Sequence, residues 1–334
     1  MMNDNNSLHR YIGSERQLGF IRRAVLDDGK GRGMRVLDVD NGSGLRFTVY
    51  PDRGMDIGET SFRGVNLVWL PQSPCSPQFY EAAQFNWLRS WGGGLLTGCG
   101  LSNVGGPNSA GGEEHGLHGR LSHTPAEEVN SRAFWDGEGR YVFEMTGKVR
   151  HSRVFGENLL LSRRIGCANG ENVITIEDEI ENQGFAPSPF MLLYHMNFGW
   201  PLVGEKSVLS ASEHRITPQN VHASEAVTTW DRVLAPREGF AEQVLYHEIP
   251  ADGDGMAALT LKNPEIGVTM KLEYRTAELP YLIQWRQFGC GEYVLGLEPG
   301  NCFPEGQAMM DKKGMLRRLE AGEKVRTLIR VSLS

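Results

Sequence analysis

Between positions 268 and 275 apolar and polar side chains alternate one for one: Val268, Met270, Leu272 and Tyr274 fall on one side, Thr269, Lys271, Glu273 and Arg275 on the other. Only an extended chain places every second residue on the same side, so this stretch is predicted to be a strand with one buried face. The same period recurs at Leu45, Phe47 and Val49, at Tyr141, Phe143 and Met145, at Ile174, Ile176 and Ile180, and along Val325, Thr327, Ile329 and Val331. Asn41-Gly42, Asp136-Gly137 and Ala321-Gly322-Glu323 supply turn chemistry between such runs. The chain therefore reads as a series of antiparallel hairpins, an all-β fold. Its 41 glycines and 16 prolines punctuate it throughout, and helix is expected only over residues 77–91 and 14–26. No repeat, low-complexity block or charged linker divides residues 1–334, which predicts a single domain whose sheets pack face to face.

Charge narrows the function. A formal net charge of −7, with no lysine- or arginine-rich run, argues against a nucleic-acid partner. Every apolar run is broken by charge or glycine well short of the roughly 18 residues needed to span a bilayer, so no membrane segment is expected. The N-terminal Met1-Met-Asn-Asp-Asn-Asn-Ser7 lacks the basic start and apolar core of a secretory leader. Cys75, Cys99, Cys167, Cys290 and Cys302 are odd in number and widely spaced, with no Cys-x-x-Cys pair. Reduced, mostly buried thiols in a cytoplasmic protein are the expectation. Cys99 and Cys302 could serve as nucleophiles, although a buried cysteine is more often a small apolar residue.

Three polar sites stand in apolar surroundings: His118 in His115-Gly-Leu-His-Gly-Arg120, His195 in Leu192-Leu-Tyr-His-Met-Asn-Phe-Gly199, and Glu298 in Val294-Leu-Gly-Leu-Glu-Pro-Gly300. Unpaired, such groups would destabilise a core. Brought into one dry cleft, a carboxylate and an imidazole make a general base and a general acid. Strand alternation sets Glu298 opposite the row Tyr293, Leu295 and Leu297, with Gly296 beside it on its own side and Pro299 expected to end the ladder. His195 would lie within or at the end of a buried strand. His118 sits in the glycine-rich stretch 71–126, where close approach of another molecule is easy. Each has a plainer reading: a solvent-facing strand-end glutamate, a core histidine bonded to a carbonyl, and an exposed turn histidine. His115, His118, His123 and His195 could instead bind a metal, but His115 and His118 fall in a loop rather than on one helical face, so no metal site is assigned.

Leu117-His118-Gly119, Tyr194-His-Met-Asn-Phe-Gly199 and Gly296-Leu-Glu298-Pro, in that order, resemble the aldose 1-epimerase (galactose mutarotase) superfamily. Pro51-Asp-Arg-Gly-Met-Asp-Ile57, Gly93-Gly-Leu-Leu-Thr-Gly-Cys-Gly-Leu101 and His115-Gly-Leu-His-Gly-Arg120 point to an uncharacterised branch of it, and the resemblance spans nearly the whole chain. It implies a β-supersandwich of two large, mostly antiparallel sheets, a sugar as the small-molecule partner and no cofactor. It also implies Glu298 as catalytic base, His195 as acid and His118 as an assisting group. Interconverting anomers needs removal of the proton on the C1 hydroxyl and protonation of the ring oxygen. An ionised Glu298 and a protonated His195 would suffice, with Glu298 helping to keep the imidazole charged.

Arg53, His115, Arg120, Asn197, Trp285 and Arg286 are the expected sugar-binding residues, with Asp56, Asn103 and Gln284 as further hydroxyl ligands and Trp91 or Trp200 as alternative stacking platforms. The family's substrate-binding aspartate has no clear counterpart, Asp231 being the nearest. Two rival functions remain. One is another acid-base carbohydrate enzyme such as a sugar-phosphate epimerase, for which Arg53 with Arg120 or Arg286 would supply cations. The other is a non-catalytic carbohydrate-binding protein, which would not need Glu298 and His195 together.

Overall fold

The computed structural model describes residues 8–73, 75, 76 and 83–334. Strands dominate it. β1 (Phe20–Val25), β2 (Arg35–Asp40), β3 (Leu45–Tyr50), β4 (Asp56–Phe62) and β5 (Val65–Asn66) pair in sequence order as an antiparallel meander. The Asn41-Gly42 turn between β2 and β3 is held by Asn41 Oδ1, which accepts the N–H groups of Ser43 and Leu45. β6 (Thr97–Leu101) is followed by a small hairpin of β7 (Asn108–Ala110) and β8 (Glu113–His115). β9 (Glu127–Trp135), β10 (Tyr141–Ser152), β11 (Asn158–Ala168) and β12 (Glu171–Asn182) then form a second meander.

The later strands are β13 (Ser188–Pro189), β14 (Met191–His195), β15 (Asn197–Gly199), β16 (Val208–Ala211), β17 (Arg215–Pro218), β18 (Gln243–Glu248), β19 (Met256–Asn263) and β20 (Val268–Arg275). After them come β21 (Tyr281–Gly289), β22 (Glu292–Gly300), β23 (Arg318–Leu319) and β24 (Lys324–Leu333). They complete an eight-stranded sheet in the order β16-β19-β20-β24-β12-β11-β10-β9 and a seven-stranded sheet β17-β18-β21-β22-β14-β6, in which β15 also pairs with β22. All their pairings are antiparallel. The inward rows predicted from the alternation meet in one core, where Phe143, Met145, Ile176, Ile180, Leu272, Ile329 and Val331 pack with Leu192, Tyr194, Leu282, Leu295 and Leu297. Burial of such rows is the main favourable term in this fold.

The expected helix over 14–26 is not formed. Ser14 caps a single 3-10 turn at Glu15–Gln17, and Phe20–Val25 is β1, paired with β2 from Phe20↔Asp40 to Val25↔Arg35. The partner strand overrides the weak local helical pattern. Of 77–91, residues 77–82 lie outside the described ones, and Asn86–Arg89 makes one 3-10 turn. No helix among the described residues is long and apolar enough to cross a membrane.

A buried ion pair lies at the core face of the eight-stranded sheet. Arg163 on β11 grips its register partner Asp178 on β12 in two-pronged fashion, Nε to Oδ1 at 2.9 Å and Nη2 to Oδ2 at 2.7 Å. Arg163 Nη1 also donates to Gly54 O, and Tyr194 Oη donates to Asp178 Oδ2 at 2.6 Å. Tyr194 belongs to the opposing sheet and immediately precedes His195, so the pair fixes β14 against the eight-stranded sheet. Asp178→Asn would leave a guanidinium buried without its counter-charge, and urea unfolding should show a loss of about 3–5 kcal/mol. Tyr194→Phe, which removes one hydrogen bond to the Asp178 carboxylate, should cost less, about 1.5–3 kcal/mol.

Candidate active site

The seven-stranded sheet has a second face. Along β14 the core takes Leu192 and Tyr194, while Met191, Leu193 and His195 point the other way. Along β22 the core takes Leu295 and Leu297, which turns Gly296 and Glu298 to that same second face. Ile283 and Trp285 of β21 and Val244 and Tyr246 of β18 continue it, with Ile283 directly opposite Glu298 and Trp285 opposite Gly296. The predicted glycine is essential in a more local sense than expected, because a Cβ on Gly296 would lie 2.3 Å from Glu298 Oε1 and 3.0 Å from Trp285 Cβ. The missing side chain makes room for the carboxylate itself.

Pro299 does not end the ladder. β22 runs on to Gly300, with Leu282 opposite Pro299 and Tyr281 opposite Gly300. Leu297 and Asn301, in phase with Pro299, donate their N–H groups to Met196 O and Leu192 O, so the proline nitrogen faces the junction of β14 and β15. Its missing donor falls where the neighbouring strand is broken.

His195 Nε2 lies 3.3 Å from Glu298 Oε1, and both side chains are almost wholly buried. No hydrogen bond is aligned on Glu298 Oε1 or on His195 Nδ1. Burial, with a smaller contribution from the carboxylate of Glu242, pushes the Glu298 carboxyl well above the usual range. Burial and neighbouring His118 push His195 well below 6.5. Both directions favour the uncharged forms, a protonated carboxyl and a neutral imidazole, over the ionised base and charged acid expected from sequence. Desolvation is the leading cause of both shifts.

His118 completes the group. Its ring stands 5.6 Å from that of His195, centroid to centroid and perpendicular, and burial lowers it to about 4. It reaches this position with φ +56°, in a loop closed by Gly100 N–H to His118 O and His118 N–H to Gly105 O. Gly119 beside it has φ +73°, and a Cβ there would lie 2.5 Å from the carbonyls of Asn103 and Gly100. Only glycine fits.

Tryptophans wall the cleft. Trp91 is 5.2 Å from His195, Trp285 5.4 Å from His195 and Trp87 5.0 Å from His118, between ring centroids. Trp91 is aimed by Nε1–H to Thr97 Oγ1 at 3.0 Å, and Trp285 by Nε1–H to Glu242 Oε2 at 2.7 Å. The enclosed space is about 350 Å³, bounded also by Gln219, Val244, Ile283, Leu117, Pro304 and the exposed Phe85 and Leu88. A larger charged hollow of about 560 Å³ lies over β2–β4, away from the acid-base groups.

Of the six expected sugar-binding residues, Trp285 alone lines the cleft. Arg53 is buried and donates to Ser76 O and Ser122 Oγ. Arg120 pairs with Glu113, and His115 ends β8 outside the cleft lining. Asn197 donates to Gly94 O and His195 O, holding the backbone beneath the imidazole. Arg286, next to Trp285, points to the opposite face by strand alternation and donates to Gln243 Oε1 and Arg232 O, with Asp231 nearby.

The other proposed ligands are also internal. Asp56 accepts Gly98 N–H at 2.8 Å, and burial raises it to about 6. Asn103 bonds Gly116 O and the N–H of Gln307, while Gln284 bonds His247 and Trp230 O. Trp200 is exposed in a separate groove. Burial holds the Cys99 and Cys302 thiols up, disfavouring the thiolate a nucleophile requires. Among the described residues no three His, Cys, Asp or Glu side chains converge as metal ligands. Trp87, Gln219 and Glu242 escaped the sequence reading. Trp87 carries a faint signal, four residues before Trp91, whereas the other two lie outside regular strands and carry none.

Residues 31–333 match the model of a family described as a domain of unknown function, DUF4432. The chain belongs to that family. Among curated proteins nothing matches it. Its backbone is similar to that of a Klebsiella pneumoniae protein named as a candidate aldose 1-epimerase, with a TM-score of 0.87, 24% identity and coverage of 94% of this chain and 83% of the other. A galactose mutarotase-like protein from Clostridium acetobutylicum gives a TM-score of 0.67 at 11% identity over 95% and 99% of the two chains. Galactose 1-epimerase from Lactobacillus acidophilus gives 0.62 at 14% identity over 95% and 99%. This member of DUF4432 therefore has the galactose mutarotase-like fold, as its motifs led us to expect.

Proposed function

We propose that the protein is an aldose 1-epimerase-type isomerase, opening and reclosing the ring of a free sugar. The reading rests on one observation: His195 Nε2 and Glu298 Oε1, 3.3 Å apart and buried, face a tryptophan-walled cleft of sugar size. With the ring form bound, Glu298 as carboxylate takes the proton of the C1 hydroxyl and His195 as imidazolium gives its proton to the ring oxygen. The C1 to ring-oxygen bond breaks, and the open-chain aldehyde is left beside a neutral pair. Both protons return after the carbonyl turns over, giving the other anomer.

The two protonation patterns hold the same number of protons, and burial favours the neutral one, which accompanies the aldehyde. The cleft is in that sense matched to the high-energy part of the path rather than to the ring. Catalytic amounts of protein should speed α/β equilibration of an aldose by polarimetry or saturation-transfer NMR. Failure across a broad panel of free sugars would overturn the reading. The sugar-phosphate alternative loses its support, since Arg53, Arg120 and Arg286 all lie off the cleft.

Two further outcomes are expected. The rate should show no step at pH 6.5, the ordinary histidine value, because burial and neighbouring His118 hold His195 well below it. A step at pH 6.5 would count against His195. Gly296→Ala should cost at least about tenfold in kcat with the fold retained by circular dichroism, by displacing the carboxylate from its position.

A further inference from the structure

We propose that the cleft takes an uncharged, partly deoxygenated aldose and that Glu242 is the residue excluding acidic sugars. The inference deepens the isomerase reading and rests on it for the placement of the sugar ring. Its basis is an inventory of hydrogen-bonding groups. Glu298 and His195 are committed to the anomeric oxygen and the ring oxygen. His118 Nδ1 already lies 3.4 Å from the Gly105 N–H, and Glu242 Oε2 already takes the Trp285 indole. Among the described residues, Gln219, the free oxygen of Glu242 and the second ring nitrogen of His118 are the remaining side-chain partners on the lining.

Among the described residues the rest of the wall is indole, Leu88, Leu117, Val244, Ile283, Phe85 and Pro304, with the backbone of Gly105 and Gly106. A fully hydroxylated hexose would press hydroxyls against these surfaces and leave them unpaired, at a cost of about 1–3 kcal/mol each. A deoxygenated carbon or methyl group would instead be covered by them. Charge acts in the same direction. Among the described residues no Lys or Arg lines the cleft, while two carboxyl side chains do. A sugar acid or sugar phosphate would place its anion beside the Glu242 carboxylate with no lysine or arginine to pair it.

Tryptophan fluorescence of the intact protein can test this, because Trp87, Trp91 and Trp285 line the cleft. The titrants are galactose, 6-deoxygalactose and galacturonate, which differ only at the exocyclic carbon. We expect 6-deoxygalactose to bind about tenfold or more tightly than galactose, and galacturonate at least about a hundredfold more weakly than 6-deoxygalactose. Glu242→Gln should recover about tenfold or more of the galacturonate affinity. In the unmutated protein galacturonate binding should strengthen with salt, a readout independent of the variant's folding. Galactose binding as well as 6-deoxygalactose, or galacturonate binding as well as either, would overturn the proposal. So would loss of all binding. Discrimination that persists without any anomerisation would instead overturn the isomerase reading alone.

Discussion

Replacing Glu298 with glutamine is expected to slow anomer exchange by about 10²–10⁴-fold, the usual worth of a positioned proton-transfer group. Glutamine keeps the shape and an acceptor oxygen but cannot take the C1 hydroxyl proton, so sugar binding should be nearly unchanged. The same substitution should stabilise the fold. Burial raises the Glu298 carboxyl well above 4.5, so its favourable contribution is present below that pH and is lost as the pH rises through the lifted value. Glutamine does not titrate, and the gain in melting temperature should therefore be larger at pH 8 than at pH 5. An unchanged exchange rate would remove Glu298 from the base role, whatever the melts show.

The second large effect concerns acid. Burial lowers His118 to about 4, and burial also lowers His123 and His247 to about 3, helped by Arg53 and by His214 respectively. Each takes up a proton on unfolding once the pH falls below 6.5, where the exposed imidazole titrates. Their stabilising contribution is thus complete above 6.5 and declines as the pH falls toward 4 and then 3. Each histidine contributes a slope on the order of 1 kcal/mol per pH unit, and the three together should make the urea midpoint collapse between pH 6 and 4. His247→Gln, chosen away from the cleft, should flatten that slope. An unaltered slope would show that His247 is already charged in the folded state.

Much of the fold was legible because a strand with one buried face leaves a period of two in its sequence. β3, β10, β12, β20 and β24 carry that period, and all contribute to the core. β1 does not, because its Phe-Ile-Arg-Arg-Ala-Val run is half exposed at a sheet edge and owes its conformation to β2. In the site, Glu298, His195 and His118 were visible as polar residues interrupting apolar or glycine-rich runs, and the structure brings them into one cleft. The arginines were misplaced for a physical reason. The Pro51–Ile57 motif uses its carboxylates inside the protein: Asp52 accepts the N–H and the guanidinium of Arg35, and Asp56 accepts the N–H of Gly98 in the strand beside β14. A side chain that supports the site from below looks, in sequence, the same as one that touches a ligand. Glu242 was invisible because nothing in its neighbours along the chain indicates which indole it meets.

The position of β24 has a consequence for how the protein is made. Residues 324–333 lie between β20 and β12 in the middle of the eight-stranded sheet, so a ribosome must synthesise them before that sheet can close. Until then β12 and β20 carry open hydrogen-bonding edges and uncovered apolar rows, the kind of surface that aggregates or recruits chaperones. A chain halted before Lys324 should therefore emerge insoluble rather than merely slow.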